Sequence, residues 1–436
     1  MTALRIILDK SVIVGSSPAE IDALDKYFFL IVPPVLQNEI LADLAKLNPR
    51  ESSPSKVSAN SYKISGNNGI MVSCREILGH SLLGNHIEMD GTFVPTAGHT
   101  VRNLEGKVGF NIDATEIEKK IARWESGRFV EGERETIADW RTEIESPMNY
   151  SVWQQRIVKA GLHFRPPKSD EELKDIVDAT LRDPRIQASL LYLLFWDWKM
   201  PRDFQIKVMN RWSAEKFPPL SVFSPYAFYC SRVSFLWALG HSNRGLFASD
   251  RNDGKDIQYC YYLPHCEIFA SEDRKHRRLV PMLLREDQSF LTGTQLKADL
   301  SFLFSWWQSL TKQGQIDYFN ERRFAPPVFE DSVVYNLWKK HRGKLQPSLP
   351  LELAQVSLVD SRLPKEKQVP FTLHDLLKKL SGEMDKAESL NPDEISKEID
   401  GKGGADNLFS FVHRKTLVSK ERLLRRYPNL KSTDLD

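Results

Sequence analysis

The sequence predicts an α/β protein, a parallel-sheet domain split by a long, mostly α-helical insertion. Three observations carry this. The first 47 residues read strand–helix–strand–helix, the opening of an α/β unit. A second block, from Asp256 onward, runs helix–strand–helix. Between them lie aromatic helical segments punctuated by Pro166-Pro167, Pro184 and Pro218-Pro219.

The elements follow in order. "ALRIILD" (3–9) is a buried strand ending at Asp9. "SSPAEIDALDKYFFL" (16–30) carries a serine cap, a first-turn proline and apolar residues at helical spacing. "LIVPP" (30–34) is extended, and "PPVLQNEILADLAKL" (33–47) is a helix with Val35, Leu36, Ile40, Leu41 and Leu44 on one face. The polar, Ser- and Asn-rich stretch 48–69 reads as a loop. Two further segments, "IEKKIARWESGRF" and "ERETIADWRTEI", have helical spacing anchored by Trp124 and Trp140. "ASLLYLLFWDWKM" (188–200) breaks at Asp197 and Lys199 and reads as a buried helix rather than a membrane span. "DIQYCYYLPHC" is a helix ending near Pro264, and Ile268 to Ala270 form a short buried strand. Helices follow over 274–285 and 296–310. This divides the chain into 1–47 and 228–330, the two parts of the sheet domain; 48–227, the insertion; and 331–436, polar, partly flexible and ending in a basic stretch (412–431).

Composition narrows the function classes. The 436 residues are 41% hydrophobic and 27% charged, ordinary usage that supplies a large core. A net charge of +2 gives no global basic field, so any nucleic-acid surface is local. Four scattered cysteines make no disulfide framework. The N-terminus shows no basic leader or cleavage pattern and no apolar run is long enough to span a bilayer, so the expectation is a cytoplasmic protein without a membrane partner.

The chemistry lies in four acids. Asp9 leaves the first strand, and ligands gather at the carboxyl ends of strands in open parallel sheets. Asp273 leaves the strand 268–270 in the same way, Glu39 sits mid-helix, and Asp256 opens a helix with Asp253 three residues earlier. Each has an ordinary alternative: a solvated acid at a strand exit, a surface glutamate, a helix cap. Gathered together, four carboxylates repel and cannot all ionise without a cation. The usual answer is a hard divalent ion with oxygen ligands, Mg²⁺ or Mn²⁺, at a site that serves phosphodiester hydrolysis.

"IILDKSVI", "VPPVLQNEILADL" and "DIQYCYYLPHCEIFASEDRKH" resemble the three motif blocks of PIN-like domain ribonucleases. The resemblance covers about residues 3–47 and 228–310. It implies an α/β/α fold with a parallel sheet, a quartet of acids binding Mg²⁺ or Mn²⁺, and RNA as substrate. Asp9, Glu39, Asp256 and Asp273 fall at the four acid positions. Ser271 falls where the family often carries a small hydroxylated residue before its last aspartate. The chain departs from the pattern in the separation of Glu39 and Asp256, 217 positions apart, and in Lys10, which stands where many members have a small polar residue. Asp253 and Lys10 are supporting candidates.

Arg274, Lys275, Arg277 and Arg278 follow the last acid directly and form a candidate phosphate-binding face. Tyr259, Tyr262 and Trp306 are candidates for base stacking, with core packing as the commoner use. No Walker lysine loop, dinucleotide glycine fingerprint or nucleophile elbow occurs. The expectation is therefore a metal-dependent endoribonuclease. Its rivals are a DNA-directed nuclease, a toxin or antiviral effector restrained by a regulatory protein partner, and a catalytically degenerate protein that binds nucleic acid.

Overall fold

Strand β1 (Leu4–Leu8) is the centre of a five-stranded sheet. It pairs in parallel with β2 (Phe28–Val32), Leu4 opposite Phe28 and Ile7 opposite Ile31. Beyond β2 lies β3 (Asn68–Ile70). An antiparallel hairpin of β4 (His99–Arg102) and β5 (Val108–Asn111) stands apart from this sheet. On the other side of β1 come β6 (Ile268–Ala270) and β7 (Ser289–Leu291), again parallel, which gives the order β3-β2-β1-β6-β7. The computed structural model describes residues 3–45, 54–95, 99–102, 108–111, 116–130, 150–241, 246–247, 253–322 and 324–343.

Successive strand residues face opposite sides, and LRIIL, FFLIV and IFA are buried almost without interruption. Both sheet faces are therefore covered, as parallel sheets require. Helix Pro18–Tyr27 begins in a capping box between Ser17 and Glu20 with Pro18 in its first turn, and it packs along helix Gly293–Ser309. It stops at Tyr27, short of the predicted residue 30, because Phe28 and Phe29 are taken into β2. Helix Pro34–Leu41 ends in a 3₁₀ turn at Ala42–Ala45.

The loop expected over 48–69 is overturned from residue 54 onward, and 48–53 lie outside the described residues. Residues Pro54–Lys63 form a helix, and β3 extends the sheet past residue 47. Its NGI sequence carries no strand periodicity. A Cβ at Gly69 would come within 2.6 Å of the Phe29 and Phe93 rings, so close ring packing excludes the β-branched residues that usually signal a strand. The expected helices of the middle region are present. Trp124 is buried on helix Glu116–Glu125, and Gln187–Asp197 buries five of its apolar side chains: Leu190, Leu191, Leu193, Leu194 and Phe195. Helix Pro225–His241 is buried nearly all round and packs against Asp170–Arg182, Cys74–Leu82 and Asp253–Cys260. Trp140 and the rest of its predicted helix lie outside the described residues.

The predicted helix over 274–285 is present as Arg274–Leu283. The polar region expected from 331 begins instead with a packed helix, Val333–Arg342, which buries Val334, Leu337 and Trp338. Arg342 and Arg5 both pair with Glu267 beneath the sheet. The stretches 389–407 and 412–431 lie outside the described residues. Among the described residues no helix is long and apolar enough to cross a membrane.

Candidate metal centre

The chain adds strands outward from β1 on one side and from β6 on the other, so the strand order reverses between these two neighbours. Crevices at such switch points are the general ligand sites of open parallel sheets. Leu8 pairs with Ala270, and the Asp9 amide bonds to the Ala270 carbonyl at 3.1 Å. Asp9 and Ser271 thus leave adjacent strands together.

Asp9 caps helix Lys10–Gly15, its Oδ1 accepting from the Val12 amide (3.0 Å) and the Ser11 hydroxyl (2.7 Å). Its Oδ2 accepts from the Ser271 hydroxyl. Asp273 caps Arg274–Leu283, its Oδ1 accepting from the amides of Lys275 (2.7 Å) and His276 (3.1 Å). The Asp273 amide in turn donates to Ser271 Oγ at 3.0 Å. One hydroxyl therefore joins the first and last acids. Glu39 is held by Tyr259, whose hydroxyl donates to its Oε2 at 2.6 Å. Lys10 reaches back to the Glu39 carbonyl (2.8 Å) and to Asp43 Oδ1 (2.6 Å), which secures the helix bearing Glu39. Asp256 lies in the first turn of Asp253–Cys260. Among the described residues its buried Oδ2 has no hydrogen-bond partner, and Lys275 Nζ is 4.0 Å away.

His276, which the sequence does not single out, contacts Ser271, Asp273 and the Asp256 main chain and packs against Tyr259, which holds Glu39. Its Nε2 lies 2.8 Å from the Asp256 carbonyl and its Nδ1 2.8 Å from Ser271 Oγ. A carbonyl only accepts, so Nε2 carries a proton. Ser271 gives its own proton to Asp9, so Nδ1 also donates, and the ring is an imidazolium with both N–H groups used. Only 1% of the residue is exposed.

Burial pushes the Asp256 carboxyl up to about 8; Asp273 and Glu39 push the same way, against His276 and Lys275. Burial likewise raises Glu39, with Asp9 adding and the Tyr259 hydrogen bond, Lys10 and Lys255 opposing. Asp9 goes the other way: burial raises it, but the hydrogen bond and charge of His276, with Ser271 and Ser11, outweigh that and hold it below the usual range. Charge thus couples Asp256 to Asp273 and Glu39, and Glu39 to Asp9, and Asp256 presents a buried oxygen with no hydrogen-bond donor among the described residues. This donor chemistry fits a hard divalent ion. Among the described residues no group of three or more His, Cys, Asp or Glu side chains is arranged to hold an ion as the chain stands.

The basic face differs from expectation. Arg274 is exposed, but Lys275 turns inward and pairs with Asp253, which is only 1% exposed and lies 3.5 Å from His241 Nε2. Arg277 pairs with Glu272, and Arg278 grips Asp170 through two bonds of 3.0 and 2.5 Å. The cause is helical geometry: Lys275 shares its face with Leu279 and Leu283, so its stem enters the core. Tyr259 and Tyr262 are core residues, the latter accepting from the Cys74 amide at 2.9 Å. Comparison with protein-family models, curated proteins and solved structures gives no match.

Proposed function

We propose that this chain is a divalent-metal-dependent nuclease with a PIN-like sheet, an endoribonuclease in the first instance, in which Asp9, Glu39, Asp256 and Asp273 hold Mg²⁺ or Mn²⁺. The observation that carries the reading is the joining of Asp9 and Asp273 through Ser271 at the switch point of a parallel sheet. The choice of RNA over DNA rests on the motif resemblance alone, and a role as a toxin or antiviral effector rests on the same activity.

A bound Mg²⁺ or Mn²⁺ supplies Lewis-acid stabilisation of the phosphodiester and makes water a usable nucleophile near neutral pH. The chain's own residues bind and orient. Helix N-termini fix the Asp9 and Asp273 carboxylates, Tyr259 fixes Glu39, and Asp256 contributes an oxygen with no hydrogen-bond donor among the described residues. Arg274, exposed next to Asp273, is positioned to meet a phosphate.

A non-cleaving nucleic-acid-binding or regulatory protein is the second reading, and one observation favours it. Asp9 and Asp273 each cap a helix and Asp253 neutralises Lys275, so these acids already have structural tasks. Incubating the protein with total RNA and with single- and double-stranded DNA, in Mg²⁺, Mn²⁺ or EDTA, separates the two. Metal-dependent RNA cleavage is expected. Intact RNA and DNA with both metals leaves the binding reading.

A further inference from the structure

On the reading of this site as a metal centre, we infer that His276 is its positioning residue, the one side chain that gathers all four carboxylates. The connections run outward from a single imidazole. Nδ1 donates to Ser271 Oγ, which donates to Asp9 and accepts from the Asp273 amide. The His276 backbone amide donates to Asp273 Oδ1. Nε2 donates to the Asp256 carbonyl, which fixes the first turn of the helix carrying that acid. The ring meets Tyr259 edge-on, with centroids 5.9 Å apart and planes at 78°, and Tyr259 holds Glu39. Phe269 of β6 meets the imidazole edge-on at 5.2 Å and 80° and packs beside Tyr259, their centroids 6.2 Å apart. The ring's orientation is set by its two nitrogen bonds, to Ser271 Oγ and to the Asp256 carbonyl.

The arrangement is more than packing. An apolar residue of similar size would fill the space but take one donor from Ser271 Oγ, which would keep the Asp273 amide, and one from the Asp256 carbonyl, which would keep the Cys260 thiol. His276 touches no substrate or ion in this scheme; it acts through Ser271, the Asp256 main chain and Tyr259. Outer partners of this kind are worth about 10–100-fold in metal affinity.

The test is Mn²⁺ binding to the full-length protein by titration calorimetry and by the electron paramagnetic resonance of bound Mn²⁺, with urea midpoints recorded alongside. His276→Gln, Ser271→Ala and the double variant are compared with wild type. Each single variant is expected to weaken Mn²⁺ binding about 10–100-fold. The double variant is expected to be no weaker than the worse single one, because both changes cut the same chain to Asp9. Added imidazole is expected to restore binding to His276→Gly. Unchanged affinity in both single variants, or losses that simply add, overturns the inference while the metal reading stands. Wild type that binds neither Mn²⁺ nor Mg²⁺ overturns the metal reading and this inference with it. If His276→Gln does not fold, Ser271→Ala, which removes one oxygen, decides alone: unchanged affinity overturns the inference.

Discussion

The Tyr259 hydroxyl lies 2.6 Å from Glu39 Oε2 and joins two residues 220 positions apart in the chain. This bond ties the two halves of the sheet domain at the candidate centre. Tyr259→Phe removes only the oxygen and leaves a buried carboxylate short of a donor. Unfolding free energy in urea should fall by about 1–3 kcal/mol. The Glu39 carboxyl should rise further, because this hydrogen bond is the largest influence holding it down. A variant as stable as wild type would mean that water replaces the phenol and that the bond does not organise Glu39.

Asp256→Asn with Asp273→Asn should abolish cleavage and leave the fold as stable as wild type or more so. Asparagine caps a helix about as well as aspartate, so Arg274–Leu283 keeps its start. At position 256 the charge removed is one that burial, Asp273 and Glu39 all oppose. Wild-type melting temperature should rise on adding Mn²⁺, by an amount equivalent to about 2.7 kcal/mol at a hundredfold excess over Kd. The double variant's should not move. A mutant that still cuts RNA, or shifts with metal as wild type does, makes these aspartates purely structural.

The site was legible in the sequence where strand exits and caps coincide. Asp9 and Asp273 each follow an apolar run and precede a helix, so their positions follow from local pattern. Ile268 to Ala270 were read as a strand and form one. β3 was illegible because Gly69 answers to the Phe29 and Phe93 rings, a long-range demand with no local signature. The inward turn of Lys275 was hidden for a related reason: four cations in five residues look like a solvated face until Asp253 arrives from another helix. His276 looked like one more member of that charged run, although it lies three and four residues before Leu279 and Val280 on the buried side.

Below the sheet, Glu267 accepts from Arg342 at 2.7 and 2.8 Å and from Arg5 at 3.1 Å. Burial alone would raise its carboxyl, but Arg342 and then Arg5 outweigh it and hold it near 2. A carboxyl depressed from its ordinary value of about 4.5 stabilises the fold above that pH. The stabilisation is lost as pH falls from about 4.5 towards about 2. Glu267→Gln should flatten the stability profile in that window. At neutral pH it should cost about 2 kcal/mol, less than the ~3–5 kcal/mol of a fully buried pair, because 29% of the Arg5 side chain is exposed. An unaltered acid limb would assign acid sensitivity to other carboxyls.

Arg274 and Lys275 are neighbours in sequence but should behave oppositely when replaced. Arg274 is exposed, so Arg274→Ala should leave stability within about 0.5 kcal/mol of wild type. If it meets a phosphate, the slope of log affinity against log salt for single-stranded RNA should fall by about 0.7. Lys275→Ala removes the ammonium paired with buried Asp253, a loss of about 3–5 kcal/mol. Asp256 would lose the same ammonium, 4.0 Å from its Oδ2. Restoring neutrality with Lys275→Met and Asp253→Asn together should recover most of that stability, since the destabilising element is the stranded charge and not the missing ion pair. The salt slope of this double variant should match wild type, because neither group faces solvent. A reduced slope there, with Arg274→Ala unchanged, would place the nucleic-acid path on the Asp253–Lys275 side of the helix.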